Sequence, residues 1–189
     1  MKSKAFKWTA LIIAVLVLTA NIGARAQDEG AQHSPAKLFK GVMNAYTPQT
    51  TAGVGPYEVR GPWSLTLKKG GRKAEFTAAL NMEFSDGWVL TTGKMNFDPT
   101  TRGAHTHHIS VEGVVTEIAN GFQVTGQAIF TLNGGPAPTT VSPSDVVIEV
   151  TGGSDVQYSN ITLTFAAPGS NHFGSAPLPG VVRSVKELR

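Results

Sequence analysis

The stretch Glu75–Phe84 alternates polar or small side chains with apolar ones over five consecutive steps. A repeat of two residues is typical of a β-strand that buries one face and exposes the other. This is the strongest regular pattern in the chain, and it predicts a buried face formed by Phe76, Ala78, Leu80, Met82 and Phe84. The shorter run WSLTL repeats the pattern and places Trp63 in the core.

Similar strand patterns recur along residues 57–165, with turn residues between them. Asn120-Gly121 is the dipeptide most typical of a tight hairpin, and a change of phase near Ser159 predicts a β-bulge. About seven to eight strands at hairpin spacing, without a long helical repeat, predict an all-β, single-domain antiparallel β-barrel with meander connectivity. A two-sheet β-sandwich is the alternative.

The first 26 residues have the organisation of a secretory signal peptide. A short basic start is followed by the apolar run Trp8–Ala20 and by an Ala-x-Ala pattern that ends at Ala26. The apolar run is shorter than the roughly 20 residues that a membrane-spanning helix needs. We therefore predict cleavage after Ala26, a secreted or periplasmic location, and no membrane anchor after cleavage.

Signal cleavage changes the charge of the protein. The whole chain has 16 Lys and Arg against 13 Asp and Glu, a net charge of +3. Four of the basic residues and none of the acidic ones lie in residues 1–26, which leaves 12 basic against 13 acidic residues and a net charge of −1. The mature chain therefore gives no indication of a nucleic-acid partner. The absence of cysteine excludes disulfides, thiolate metal ligands, thiol catalysis and a lipoprotein anchor.

The sequence predicts a division into three parts. Residues 1–26 are the signal peptide, residues 27–56 a flexible N-terminal lead-in, and residues 57–189 the β domain with a loop-rich C-terminal tail. Within the lead-in, LFKGVMNAY is predicted to form one short helical turn. Within the tail, GVVRSV is the candidate for a final edge strand.

Three of the five histidines lie in the stretch HTHH at the start of a predicted strand. On a strand, His105 and His107 share the face of the aliphatic residues that follow, whereas His108 lies on the opposite face. A buried imidazole needs a partner, and a metal ion satisfies two neighbouring imidazoles at once. The pair therefore predicts a Zn²⁺ or Cu²⁺ site, with His172 as third ligand. Ordinary solvated histidines at the barrel rim are the alternative.

Several other side chains are candidates for the same site or for a separate ligand site. Asp86, Asp98 and Glu112 are available as oxygen ligands. Trp88 follows a turn and is expected at a rim, where an aromatic ring can stack on a small ligand. Trp88 and His108 are the predicted ligand-binding residues, and packing without a ligand is the alternative for Trp88.

The sequence leaves three classes of function open. The first is a secreted or periplasmic binding module for a metal ion or small molecule. The second is a metal-dependent enzyme that uses the same histidines, and the third is a structural envelope protein without a small-molecule site. The nearest candidate bases, His108 and Glu112, face away from the histidine pair, which favours binding over catalysis. No catalytic residue, no cofactor other than Zn²⁺ or Cu²⁺, and no oligomeric state is predicted.

Overall fold

A computed structural model describes residues 34–47, 57–84, 88–91, 94–97, 105–132, 135–136, 142–152 and 160–189. The described strands are β1 (Ala36–Tyr46), β2 (Tyr57–Leu67), β3 (Lys73–Phe84), β4 (Trp88–Thr91), β5 (Lys94–Phe97), β6 (His105–Ile118), β7 (Gly121–Leu132), β8 (Gly135–Pro136), β9 (Ser144–Thr151), β10 (Asn160–Phe165) and β11 (Leu178–Leu188). A single helical turn, α1, spans Ser170–Phe173. Among the described residues, no helix is long and apolar enough to cross a membrane.

Eight of the strands form a closed antiparallel barrel. Their order around the ring follows the chain, from β1 through β2, β3, β6, β7, β9 and β10 to β11. Pairing of β11 with β1 closes the ring. The strands β4 and β5 form a separate hairpin within the connection that leads from β3 to β6 along the chain. The short strand β8 pairs with β7. The predicted antiparallel meander barrel is confirmed, and the sandwich alternative is not, because the ring of strands is continuous.

The barrel interior is filled by the apolar face of each strand. In β3, Phe76, Leu80 and Met82 are at most 1 % exposed, whereas Thr77 lies on the outer face and is exposed. Trp63 is buried and stacks on Phe76, with ring centroids 6.2 Å apart. The alternation therefore predicts correctly which side chains enter the core. An eight-stranded barrel is just wide enough for side chains of this size to fill it.

The helical turn predicted for LFKGVMNAY is wrong, because these residues belong to strand β1. This strand pairs with β2 on one side and β11 on the other, so the β domain begins before residue 57. The reason lies at Gly41, which occupies an inward position between Phe39 and Met43. A Cβ at Gly41 would collide with the carbonyl oxygen of Val181 and the Trp63 ring. Without an apolar side chain there, the two-residue repeat is interrupted in the sequence.

The predicted loop-rich tail is wrong over Leu178–Leu188, which forms β11. This strand is not an edge strand, since it pairs with both β10 and β1. Its register with β1 shifts between Lys40 and Gly41, where a bulge or irregularity interrupts the ladder. The shift changes which alternate residues face inward, so only the central part of the strand is recognisable from the sequence.

The two ends of the barrel differ in their connections. At one end, called the histidine end below, strands are joined by residues 47–56, 85–104, 133–143 and 166–177. At the other, called the turn end, β2 and β3 are joined by residues 68–72, β6 and β7 by residues 119–120, and β9 and β10 by residues 152–159. Loops that carry binding residues are usually found where a rigid scaffold offers longer connections.

Some predictions concern residues or side chains outside the described ones. These are the signal peptide over residues 1–26, the bulge near Ser159, and the side chains of Phe84, Asp86, Trp88 and Asp98. They stay predictions.

Candidate metal centre

His105 and His107 lie at the histidine end of the barrel, where β6 begins. His105 is opposite Met82 of β3 and His107 is opposite Leu80, so both imidazoles share the face of core residues. His107 is 2 % exposed and His105 is half-buried. His108 is exposed on the other face, as the strand period requires.

His172 reaches the same end from a distant part of the chain. It belongs to α1, in the connection between β10 and β11. The next residue, Phe173, is fully buried and packs on Phe165 and Phe130, with ring centroids 4.8 and 5.4 Å apart. These aromatic contacts fix the turn against the barrel wall, and they thereby hold His172 at its rim.

Ser144 holds the chain that leads into α1. Its hydroxyl donates to the carbonyl oxygen of Ala166 at 2.9 Å and accepts the Gly169 N–H at 2.6 Å. A Cβ at Gly169 would lie 2.7 Å from the Ser144 hydroxyl oxygen, so the close approach requires glycine. Ser144 is therefore a positioning residue for His172. Sequence reasoning missed it, because nothing near Ser144 in the sequence indicates contact with the tail.

The Nε2 atoms of the three histidines converge. Nε2 of His172 lies 3.1 Å from Nε2 of His105 and 3.0 Å from Nε2 of His107. One ring nitrogen from each histidine lies within 4.8 Å of those of the other two. Around a tetrahedral Zn²⁺ with Zn–N bonds of about 2.0–2.1 Å, neighbouring nitrogens are about 3.3 Å apart. The pairs His105–His172 and His107–His172 therefore already have nearly the spacing that one ion imposes.

The orientation of the rings agrees with this spacing. The centroid distances are 4.9 Å for His105–His107, 5.3 Å for His105–His172 and 5.0 Å for His107–His172. Three imidazoles bound through Nε2 to one tetrahedral ion have centroids about 5 Å apart. Edge-to-face aromatic pairs have similar centroid distances, so the nitrogen contacts carry the argument. The three rings are thus in mutual contact, with the Nε2 atom of His172 between those of His105 and His107.

Burial keeps two of the imidazoles neutral. Desolvation lowers the pKa of His107 from 6.5 to about 3, and repulsion from His172, His105 and His108 acts in the same direction. Desolvation likewise lowers the pKa of His172 to about 4, with a further contribution from His105. Imidazole binds metal in its neutral form, so these shifts leave both side chains available as ligands in the neutral pH range.

One nitrogen of His107 has no hydrogen-bonding partner among the described residues. This atom, Nδ1, is buried. The imidazole packs edge-on against Phe173 and Phe130, with centroids 5.2 and 6.1 Å away. Metal-bound histidines usually donate the second ring N–H to a carboxylate or carbonyl, and such a partner strengthens metal binding. The cluster thus fits a metal through its Nε2 atoms, with an aromatic rather than a polar surround at His107.

Tyr57 completes the aromatic wall at the histidine end. Its ring centroid lies 5.7 Å from that of His105 and 5.6 Å from that of His172. Thr47 fixes its backbone, since Tyr57 N–H donates to Thr47 Oγ1 at 2.9 Å and Thr47 N–H donates to the Tyr57 carbonyl at 2.8 Å. Burial raises the pKa of Tyr57, so its phenol stays protonated at neutral pH. Its contact with the histidines was missed, although it shares the inward phase of Trp63.

Two other predicted site residues that are described do not join the cluster. His108 lies on the outer face of β6, between Ala79 of β3 and Thr131 of β7. Glu112 is exposed on the same outer face, opposite Glu75. In the described part of the chain, the group of converging ligands contains histidines alone.

No protein-family model, curated protein or solved structure matches this chain. The fold does not decide the question either, because barrels of one architecture serve unrelated functions. The function is therefore argued from the three-histidine cluster itself.

Proposed function

We propose that this protein is an exported binding module that holds Zn²⁺ or Cu²⁺ in the three-histidine cluster. The observation that supports the proposal is the convergence of Nε2 atoms from His105, His107 and His172 at one end of the barrel. Two of these residues come from one strand that is paired on both sides, and the third comes from α1. A secreted or periplasmic location is supported by the signal-like order of residues 1–26.

The chemistry of the donor atoms decides which ions suit the cluster. Neutral imidazole nitrogens favour Zn²⁺ and Cu²⁺, whereas Mg²⁺ and Ca²⁺ prefer oxygen ligands. The chain has no cysteine, so thiolates do not compete for the ion. Three protein ligands leave a further coordination position, which a water molecule or a small ligand would occupy.

The surroundings of the cluster favour binding over catalysis. A metal-dependent enzyme needs a base beside the open coordination position. His108 and Glu112, the candidate bases nearest in sequence, are exposed on the outer face of the barrel. The histidine rings contact the aromatic side chains of Tyr57, Phe130 and Phe173. An enzyme that uses the same histidines is the alternative, and a structural envelope protein would bind no metal tightly.

The test is calorimetric titration of the chelator-treated mature protein with Zn²⁺ and with Cu²⁺ at neutral pH. His107→Ala should weaken binding by at least about 100-fold, because it removes a ligand, and even an outer-shell partner is worth 10–100-fold. His108→Ala is the matched control, since it changes the same residue type in the same stretch on the opposite face. Its affinity should equal that of the wild type.

Two results would contradict the proposal. Equal loss of affinity in His107→Ala and His108→Ala would indicate chelation by a flexible HTHH segment rather than by the barrel site. Wild-type affinity no tighter than that of a free peptide containing the same histidines would remove the metal site altogether. His172→Ala adds a test of the long-range ligand, and it should weaken binding although HTHH is intact.

A further inference from the structure

The turn end of the barrel, opposite the histidines, contains an open cavity with an apolar lining. Its volume is ≈ 540 Å³, and Leu67, Val115 and Phe122 line it. These three side chains are only partly buried although they pack against the core. Cavities that bind small molecules have volumes of about 300–1,000 Å³ and are mostly apolar. Size and lining therefore suit a single apolar chain.

Two phenylalanines form the floor of this cavity. Phe39 of β1 and Phe122 of β7 lie on strands at opposite sides of the ring, and their ring centroids are 5.4 Å apart. Phe39 is 1 % exposed, so it belongs to the core as well as to the lining. None of the residues that line the cavity belongs to the histidine cluster.

Lys37 lies at the mouth of the cavity. It is in phase with the inward residue Phe39, lines the cavity and is half-buried. It belongs to neither of the ion pairs found among the described residues. Glu117 also lines the cavity, and Glu187 is the register partner of Lys37 on β11. A lysine in this position can lay its methylene stem along an apolar wall and present its ammonium group at the rim.

The charge of the described residues differs between the two ends. The charged side chains of the turn end are those that lie at most three residues from a strand end there, together with those of the turn 68–72 and Arg189. There are seven cationic side chains and four carboxylate side chains. The cations are Lys37, Lys68, Lys69, Arg72, Lys73, Lys186 and Arg189, and the carboxylates are Glu75, Glu117, Glu149 and Glu187. By the same measure the histidine end has three carboxylates, Glu58, Glu83 and Asp145, against two cations, Arg60 and Lys94 of β5. Among the described residues, the turn end therefore has the more positive side-chain charge, which favours a ligand with a negative head group.

We propose that the turn end binds a single-chain anionic amphiphile, with the apolar chain in the cavity over Phe39 and Phe122 and the carboxylate or phosphate head beside Lys37. The apolar lining supplies affinity that grows with chain length. The cations supply selectivity for a negative head, since Glu117 and Glu187 alone would repel it. This site is independent of the metal centre and does not rest on the proposed metal function.

The probe for the test is dodecanoate, titrated into the mature protein by calorimetry, with dodecyltrimethylammonium as the matched ligand of opposite charge. Dodecanoate should bind at least about tenfold more tightly than the cation. Each methylene added from octanoate to dodecanoate should raise the affinity by up to about fourfold, if it enters the cavity. Anionic phospholipid vesicles form the third arm, and vesicle binding without dodecanoate binding would overturn the proposal in favour of a membrane surface.

Three variants localise the binding. Lys37→Glu should weaken dodecanoate binding about tenfold or more, whereas Lys40→Glu, an exposed position on the outer face of the same strand, should change it less than about threefold. Val115→Trp should block the cavity, and its melting curve shows whether the barrel is intact. Equal effects of the two lysine variants, or equal affinity for both head groups, would overturn the assignment.

Discussion

Replacing His107 by leucine should stabilise the metal-free protein while abolishing metal binding. His107 is 2 % exposed and lies among Leu80, Phe130 and Phe173, which suit a leucine of similar volume. Removal of the unpaired, buried Nδ1 should recover about 1–3 kcal/mol. Loss of the Nε2 contact with His172 costs about 0.5–1.5 kcal/mol. The expected net gain in the free energy of unfolding is about 1 kcal/mol at neutral pH.

Thermal unfolding followed by circular dichroism measures this gain directly. For a domain of this size, 1 kcal/mol corresponds to a shift of about 2–4 °C in melting temperature. Excess Zn²⁺ should then reverse the order of the two proteins. An ion at 100 times its dissociation constant stabilises the wild type by about 2.7 kcal/mol, whereas a variant that does not bind it gains nothing. The wild type should therefore melt below His107→Leu without metal and above it with metal.

His108→Leu is the control, because it makes the same chemical change at an exposed position. It should alter stability by less than about 0.5 kcal/mol, and Zn²⁺ should stabilise it as much as the wild type. A metal-free His107→Leu protein that melts several degrees below the wild type would refute the reasoning, since the imidazole would then stabilise the barrel by itself. Equal stabilisation of wild type and His107→Leu by Zn²⁺ would place the ion elsewhere.

Three further predictions concern the core, the response to acid and export. Leu80→Asp should destabilise the barrel by more than about 3 kcal/mol, because it buries an unpaired charge. Thr77→Asp, on the outer face of β3, should have a small effect. Similar melting temperatures of the two variants would contradict the assigned face of the strand. The free energy of unfolding of the metal-free wild type should fall as the pH drops from 6.5 toward 4. In the unfolded chain, His107 and His172 take up protons near pH 6.5. In the folded protein they stay neutral, because their pKa values are lowered to about 3 and 4. Melting temperatures measured across this range should fall less steeply for His107→Leu, and parallel curves would count against the shift at His107. The intact mass of the exported protein should correspond to a chain that starts at Gln27, and a mass that includes residues 1–26 would rule out cleavage.

The fold follows from the sequence wherever inward positions carry apolar side chains. In β3 the unbroken repeat from Phe76 to Met82 predicts the buried face correctly. In β1 the repeat fails at Gly41, because the space that a side chain would occupy is taken by the Trp63 ring and a neighbouring carbonyl. In β11 the register shift opposite Lys40 and Gly41 has the same effect. The sequence therefore does not predict β1 and predicts β11 only over its central part, for reasons that depend on tertiary contacts rather than local propensity.

The candidate site is predictable in the part that depends on strand geometry. The period of two places His105 and His107 on one face and His108 on the other, and the structure has them there. The position of His172 depends instead on long-range contacts, namely the hydrogen bond from Gly169 to Ser144 and the packing of Phe173. No local pattern encodes contacts between residues this far apart in the chain, so the sequence offers His172 only as a candidate.

Comparison with a second buried ring nitrogen explains why we assign the proposed function to the histidine end. Nε1 of Trp63 is also buried without a partner, so an unpaired nitrogen by itself indicates no ligand. Trp63, however, stacks on Phe76 within the core. His107, in contrast, contacts another imidazole, because its Nε2 atom lies beside Nε2 of His172. The same atom of His172 also contacts Nε2 of His105. Burial and repulsion from the neighbouring imidazoles lower the pKa values of His107 and His172, and one cation beside their Nε2 atoms would interact favourably with the lone pairs. Proteins keep such locally unfavourable arrangements mainly at functional sites, and here the rest of the barrel follows the ordinary rules of core packing.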